Sequence, residues 1–323
     1  MLNSRAEGDD EQFYSIALQI AASEARQGRR TTADALRRAV EVARSHKASA
    51  SVPIQFAQPR GDLEGLIELR DPRYVLNDVV LDTELRGRLD DLVRQQAKRD
   101  WLREHGKSPA RRALLVGPPG SGKTMTAEAL AGQLHLPLFV IRLEALITRF
   151  MGETAAKLRL VFDETETRRG VYLFDEFDAV GGRRSATNDV AEMRRVLNSF
   201  LQYMEEENAT DSLILGATNH PELLDRALIR RFDSVLVFQM PSDKEIKRVL
   251  QNNLRPFKTG RLAWKGLIDA ARGLSQAELA KASEGAVKAA ILDEQGTITT
   301  DQLLRRLKER HDMQKAFSNA ESG

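Results

Sequence analysis

The sequence has no cysteine, which removes disulfides, thiolate catalysis and thiolate-ligated zinc together and suits a reducing compartment. It also lacks an excess of either charge. Its 49 Lys and Arg stand against 47 Asp and Glu, a formal +2, so no global field draws the chain onto nucleic acid or an anionic membrane. No run approaches the roughly 20 apolar residues of a spanning helix. The opening MLNSRAEGDDEQF is acidic and polar, where a secretory signal is basic and then apolar. The five histidines are scattered without metal-ligand spacing, and neither HExxH nor a hydrolase-type Ser, His, Asp motif occurs. These absences predict a cytoplasmic chain with no membrane contact and no peptidase centre of its own.

What is present fits a soluble globular protein: 41% hydrophobic and 30% charged residues in 323 allow a large core and about two domains. Helical spacing of apolar residues over Glu11 to Gln27 and Thr31 to His46 predicts a short helical hairpin in residues 1–46. Residues 47–61 shift to Ala, Ser, Pro and Gln without a period, which marks a linker. A charged amphipathic helix is expected over Asp82 to Glu104. Short apolar strands then alternate with helices, at Ala113 to Val116, Leu138 to Leu143, Val171 to Phe174, Leu213 to Ala217 and Val235 to Phe238. That alternation predicts an α/β fold, a parallel sheet sandwiched by helices, over residues 62–240. Beyond Pro241 only helical patterns follow, at Asp243 to Leu254, Leu262 to Arg272, Gln276 to Asp293 and Thr300 to Arg310. They predict a small all-helical domain over residues 241–316, with a frayed tail at 317–323.

The chemistry concentrates at GPPGSGKT, Gly117 to Thr124, between a strand pattern and a helix pattern. Gly117, Gly120 and Gly122 let successive N–H groups turn inward on phosphate oxygens at the positive end of the next helix. Lys123 then reaches the β- and γ-phosphates, and the Thr124 hydroxyl is placed to ligate Mg²⁺. Pro118, Pro119, Ser121 and Met125 belong to the same nucleotide-binding turn. Downstream, VYLFDEFD is an apolar strand ending in carboxylates. Asp175 is placed to hold Mg²⁺ and Glu176 to orient and deprotonate an attacking water.

GPPGSGKT, LFDEFD, GATNHPELLDRALIRRFD and GLSQAEL, in this order, resemble the AAA+ ATPases over about Tyr74 to Arg310. The shortened LIRRFD is most similar to the katanin and spastin group and to small bacterial single-ring relatives. The resemblance implies ATP and Mg²⁺ as cofactors, an ATP-hydrolysing activity and a helical lid. It makes Asn219 the sensor that positions the attacking water, although an Asn there could also cap a helix beginning at Pro221. It makes Arg230 and Arg231 arginine fingers for a neighbouring subunit's nucleotide, and so implies a homo-oligomeric ring, taken as a hexamer. Val79 and Val80 fall where the family lays its chain against adenine, while core residues are the plain alternative. Gln276 and Ala277 fall in the lid motif, with Gln276 where the family usually has Gly.

Phe150, Met151 and Gly152 occupy the place of the family's pore loop, an aromatic tip that grips extended polypeptide. They imply a protein substrate that is remodelled, unfolded or threaded. A helix end packed into the core is the competing reading. Gly181 to Arg184 fall at a second pore loop whose arginines keep nucleic acid as the alternative partner, for a switch or loader. Glu192, Arg194 and Arg195 fall on a helix that the resemblance places at the subunit boundary. The hairpin, linker and single ring resemble small bacterial relatives encoded beside subtilisin-like proteases, some linked to phage defence, which implies a separate protease partner; the hairpin itself reads as a partner-recognition module or as a helical cap packed on the ATPase body.

Overall fold

The computed structural model describes residues 61–146, 151–177, 198–206, 210–224, 226–255, 257–293 and 297–321. All lie in the second of two compact units, Ala57–Gly323. The expected hairpin and most of the linker lie outside the described residues, as do Phe150, Gly181 to Arg184, Glu192, Arg194 and Arg195.

Six strands form one sheet in the order β1-β3-β4-β5-β2-β6. They are β1 (Ile67–Arg70), β2 (Arg112–Val116), β3 (Leu138–Ile141), β4 (Val171–Phe174), β5 (Leu213–Thr218) and β6 (Ser234–Val237). The five expected strands pair in parallel. β1 was not expected. It runs antiparallel along β3, with Ile67 opposite Ile141. Its IELR sequence is short and half charged, and Glu68 pairs with Arg70 and Arg142 at the sheet's edge. Such charge blunts an open edge while hiding the strand from a hydrophobic scan.

Successive side chains of the buried strands go to opposite faces, and each face has its own core. Phe139, Tyr172, Phe174, Ile214 and Leu114 enter one cluster; Leu138, Leu173, Leu213, Leu215 and Ala113 enter the other. The first is aromatic. Phe139 stacks on Tyr172 at 4.6 Å, and Phe200 meets Phe174 at 5.2 Å and Phe177 at 4.9 Å. The second face is covered by α1 (Thr83–Ala97) and α3 (Lys123–Leu134), whose Ala127, Ala129 and Ala131 let the helix lie close to the sheet.

The helix expected over Asp82 to Glu104 is two helices, α1 and α2 (Arg99–Glu104), separated at Lys98. Asp82 caps α1, accepting from the Leu85 N–H. The buried stripe Leu85, Leu89, Leu92, Gln96 would continue onto Arg99, Asp100 and Arg103, which cannot be buried cheaply. The end of α1 is instead tied to the chain entering β2, where Gln96 donates to the Ala110 carbonyl and Gln95 accepts from the Ala110 N–H. α2 has no buried residue.

Two further helices, α4 (Leu143–Leu146) and α5 (Met151–Thr167), follow β3. Thus β3 ends at Ile141, and Leu143 opens a helix rather than closing the strand. Residues 198–205 form α6, and α7 (Arg226–Ile229) precedes β6. The lid comprises α8 (Asp243–Leu254), α9 (Trp264–Ala271), α10 (Gln276–Leu292) and α11 (Thr300–Glu321) around its own apolar cluster. Glu245 accepts from both the N–H and the hydroxyl of Ser242 to start α8. α11 runs to Glu321, past the frayed end expected from Phe317, because no glycine or proline interrupts that polar stretch.

Asp233 closes the base of the sheet. Its carboxylate accepts from the backbone N–H groups of Arg111 and Arg112 and pairs with the Arg112 guanidinium at 2.8 Å. Burial pulls its pKa upward, but the Arg112 hydrogen bonds and charge outweigh it and hold the carboxyl below its ordinary value. A depressed folded pKa gives stability that is present above about pH 4 and lost as pH falls through the folded value. Asp233→Asn is therefore expected to cost about 1–3 kcal/mol at pH 7. In urea titrations the gap between wild type and variant should narrow by pH 3, and a pH-independent gap would contradict the assignment.

Candidate active site

The loop between β2 and α3 lies at the carboxyl end of β2, with β5 and β6 on either side. Gly120 has φ +71° and Gly122 φ +101°, a region that L side chains rarely adopt. Gly122 is also the N-cap of α3, so the turn delivers the helix's positive end into the cleft. Lys123 is only 7% exposed. Its ammonium donates to the carbonyls of Gly117 (2.7 Å) and Pro118 (3.0 Å) and to Asn219 Oδ1 (2.7 Å).

Asn219 follows the end of β5. Its expected alternative as a helix cap is not realised, because His220 occupies the N-cap of the 3₁₀ turn Pro221–Leu223. Its amide oxygen serves Lys123 instead. Across the cleft, the Thr124 hydroxyl donates to Asp175 Oδ2 at 2.8 Å, so the two expected Mg²⁺ ligands are already adjacent. Among the described residues no group of three or more His, Asp or Glu could hold a metal. Mg²⁺ at phosphates commonly takes only one or two protein ligands and completes its shell with water and phosphate oxygens, so this pair fits it.

Glu176 owes its position to its neighbours. Phe177 is buried among Phe174, Phe200 and Phe232, and its N–H donates to the Ala217 carbonyl. Asp175 is turned the other way, toward Thr124. Between these two anchors Glu176 is exposed and left-handed, φ +51°, a conformation costing about 1–3 kcal/mol in a non-glycine residue. The result puts an exposed carboxylate on the wall of the cleft beside Asp175.

The cleft measures about 520 Å³ and is lined by Gly120, Lys123, Thr124, Asp175, Glu176 and Asn219 at one end. Pro119, Gly122, Met125 and Ala277 line it as well. Ser121 does not; its hydroxyl is buried and has no hydrogen-bond partner among the described residues. The Val79-Val80 pair divides. Val79 packs into the core under the sheet, as in its plain reading, whereas Val80 enters the lid's cluster and also lines the cleft.

Sequence reasoning missed the lid's own wall, Val249, Asn252, Asn253 and Ala280, together with Tyr74. The signal was there in α8, where Ile246, Val249, Leu250 and Leu254 mark the buried face and the Asn pair lies off it. Gln276 and Ala277 open α10 over the phosphate loop. Ser275 caps this helix, and Glu278 in its first turn is held by Arg310, whose hydrogen bond keeps that carboxyl below its usual range. Arg230 and Arg231 are exposed beyond α7, do not line the cleft of their own chain, and Arg231 pairs with Glu205. Met151 and Gly152 form the first turn of α5, so Gly152 is helical and not at a turn.

Comparison with known proteins agrees with this geometry. Residues 113–240 match the family described as "ATPase family associated with various cellular activities". The chain is 34% identical over 308 residues to an uncharacterized AAA family ATPase of Sinorhizobium fredii, covering 94% of this chain and 91% of that protein. It is 37% identical over 190 residues to the ATP-dependent zinc metalloprotease FtsH of Lancefieldella parvula, 57% of this chain but only 30% of that one. A putative 26S proteasome regulatory subunit homolog of Methanothermobacter thermautotrophicus is 31% identical over 217 residues, 66% of this chain and 56% of its own.

A Cβ on Gly120 would lie 2.6 Å from Ser275 Oγ and 3.0 Å from the Ala277 Cβ, at an already forbidding φ. Gly120→Ala is expected to weaken binding of a non-hydrolysable ATP analogue roughly tenfold or more in calorimetric titration. Gly266→Ala, whose Cβ meets nothing within 4 Å, should bind as wild type.

Proposed function

The chain belongs to the AAA family of ATPases and hydrolyses ATP, and we propose that it works as a ring, taken as a hexamer, in which each subunit completes its neighbour's site. The observation that carries this reading is a shortage of positive charge. Among the described residues lining the cleft, Lys123 is the one cation, while the Arg230-Arg231 pair lies exposed away from it. Phosphoryl transfer spreads charge over the equatorial oxygens, and an arginine placed there commonly contributes about 10³–10⁵ in rate. Arg230 and Arg231 supply it in trans.

Within one subunit the roles follow from position. The loop N–H groups, the α3 terminus and Lys123 hold the phosphates. Thr124 and Asp175 hold Mg²⁺, which when bound neutralises phosphate charge and polarises the phosphoryl group. Glu176 takes the proton of the attacking water and Asn219 positions that water. Because Asn219 also touches Lys123, the water-positioning group is bonded to the group that holds the γ-phosphate.

The substrate is a protein, unfolded or threaded past Phe150, Met151 and Gly152. Support comes from the resemblance of this segment to a pore loop and from relatives named as an ATP-dependent protease and a proteasome regulatory subunit homolog. A separate subtilisin-like protease as partner, and a setting in phage defence, belong to the same proposal and rest on resemblance to small bacterial relatives. Among the described residues no helix is long and apolar enough to cross a membrane.

Mixing distinguishes a shared site from a self-sufficient one. Glu176→Gln subunits and Arg230→Ala/Arg231→Ala subunits should each fall to about 10⁻³ of wild-type kcat or lower. Mixed, they should recover measurable phosphate release, because some junctions pair an intact base with an intact finger. No recovery at any ratio would overturn the shared site while leaving ATP binding untouched.

A further inference from the structure

Among the described residues, two hydrogen bonds join the lid to the ATPase body on the rim of the cleft. The Ala277 N–H donates to the Gly120 carbonyl at 3.0 Å, and the Gln276 side-chain amide donates from Nε2 to the Val80 carbonyl at 2.9 Å. The first contact is main chain to main chain and asks nothing of sequence. The second depends wholly on Gln276. Its amide holds Nε2 on the Val80 carbonyl and Oε1 3.7 Å from where a Cβ of Gly122 would stand.

The phosphate end of the cleft is fixed by Lys123, Thr124 and Asp175, so a bound nucleotide extends its base toward the remaining lining, which includes Asp78, Val80, Asn252, Asn253 and Gln276. Asp78 is engaged locally, accepting from the Val75 N–H, and Asn253 donates to the Val249 carbonyl. The Val80 carbonyl is a main-chain acceptor on this wall already taken by a primary amide. An amide –NH₂ and the 6-amino group of adenine are the same kind of donor, and a 6-oxopurine has none at that position.

Resting on the ATP site proposed above, we propose that Gln276 is a latch that competes with the base: it bonds the lid to the body through the Val80 carbonyl, and the adenine amino group takes that acceptor when the nucleotide binds. Lid release is then coupled to recognition of a 6-aminopurine. A ligand that needs a self-bonded state to open binds more weakly by the fraction of open protein. ATP exchanges one hydrogen bond for another, whereas ITP gains nothing by breaking the latch.

Two variants test this. Gln276→Ala removes the latch, and Gln276→Glu keeps its size but cannot donate to a carbonyl when ionised. Without nucleotide, amide exchange at Ala277 to Leu279 should quicken in both variants, roughly 2- to 10-fold, the worth of one net hydrogen bond. The β,γ-imido analogue of ATP should bind tighter by a similar factor, while the matching ITP analogue binds as to wild type, so the ratio of the two widens. Unchanged exchange and unchanged affinities would overturn the latch. Weaker binding of the ATP analogue would also overturn it, by making Gln276 a contact to the base in place of a competitor. Parallel gains for both analogues would overturn the adenine exchange. If wild type binds neither analogue, the nucleotide site itself fails, an outcome separate from all of these.

Discussion

One buried ammonium organises the site. Lys123 opens α3 beside the ends of two strands, and three oxygens it donates to belong to different pieces of chain: Gly117 and Pro118 leaving β2, and Asn219 leaving β5. A lysine this enclosed is expensive to bury without partners, so the three oxygens are a condition of the loop's shape as much as a consequence of it. β2 and β5 are parallel neighbours, and a parallel sheet brings successive carboxyl ends to one edge. The fold therefore delivers the glycine-rich loop, Asp175, Glu176 and Asn219 to one line, and Lys123 joins the loop to Asn219.

The same edge explains why Asp175 and Glu176 differ although they are neighbours in sequence. β4 ends at Phe174, and the chain must then return Phe177 to the aromatic core. Three residues cannot make that reversal in extended geometry, and the left-handed Glu176 absorbs the turn. Burial of Phe177 thus helps hold a strained carboxylate in place. Aromatic packing on one face of the sheet and the placement of the Glu176 carboxylate on its edge are one arrangement.

Much of this was legible in the sequence because it is local. GPPGSGKT and the strand ending in LFDEFD specify backbone and side chain within a few residues, and the structure brings Lys123, Thr124, Asp175, Glu176 and Asn219 to one cleft. The alternating apolar runs likewise specified the five parallel strands. What could not be read depends on contacts distant in sequence. β1 is too short and too charged to announce itself, and acquires its identity by pairing with β3. The break at Lys98 follows from which face of α1 meets the sheet. Val79 and Val80 are identical in a sequence pattern, yet one lies under the sheet and the other in the lid.

That last division bears on how the lid moves with the site. Val80 carries its side chain in the lid's apolar cluster while Val79 is packed in the cluster under the sheet, so the peptide between them crosses from one apolar cluster to the other. A carbonyl at that crossing is poorly placed to be a passive wall. Any ligand bonded to it bears on the joint about which lid and body are connected, and Gln276 reaches it from the first turn of the lid's own α10. A residue with a shorter side chain could not span this distance. Without the Gln276 amide, the hydrogen bonds described between lid and body on this rim would reduce to that of the Ala277 N–H to the Gly120 carbonyl, so one side chain helps specify how the lid sits over the cleft.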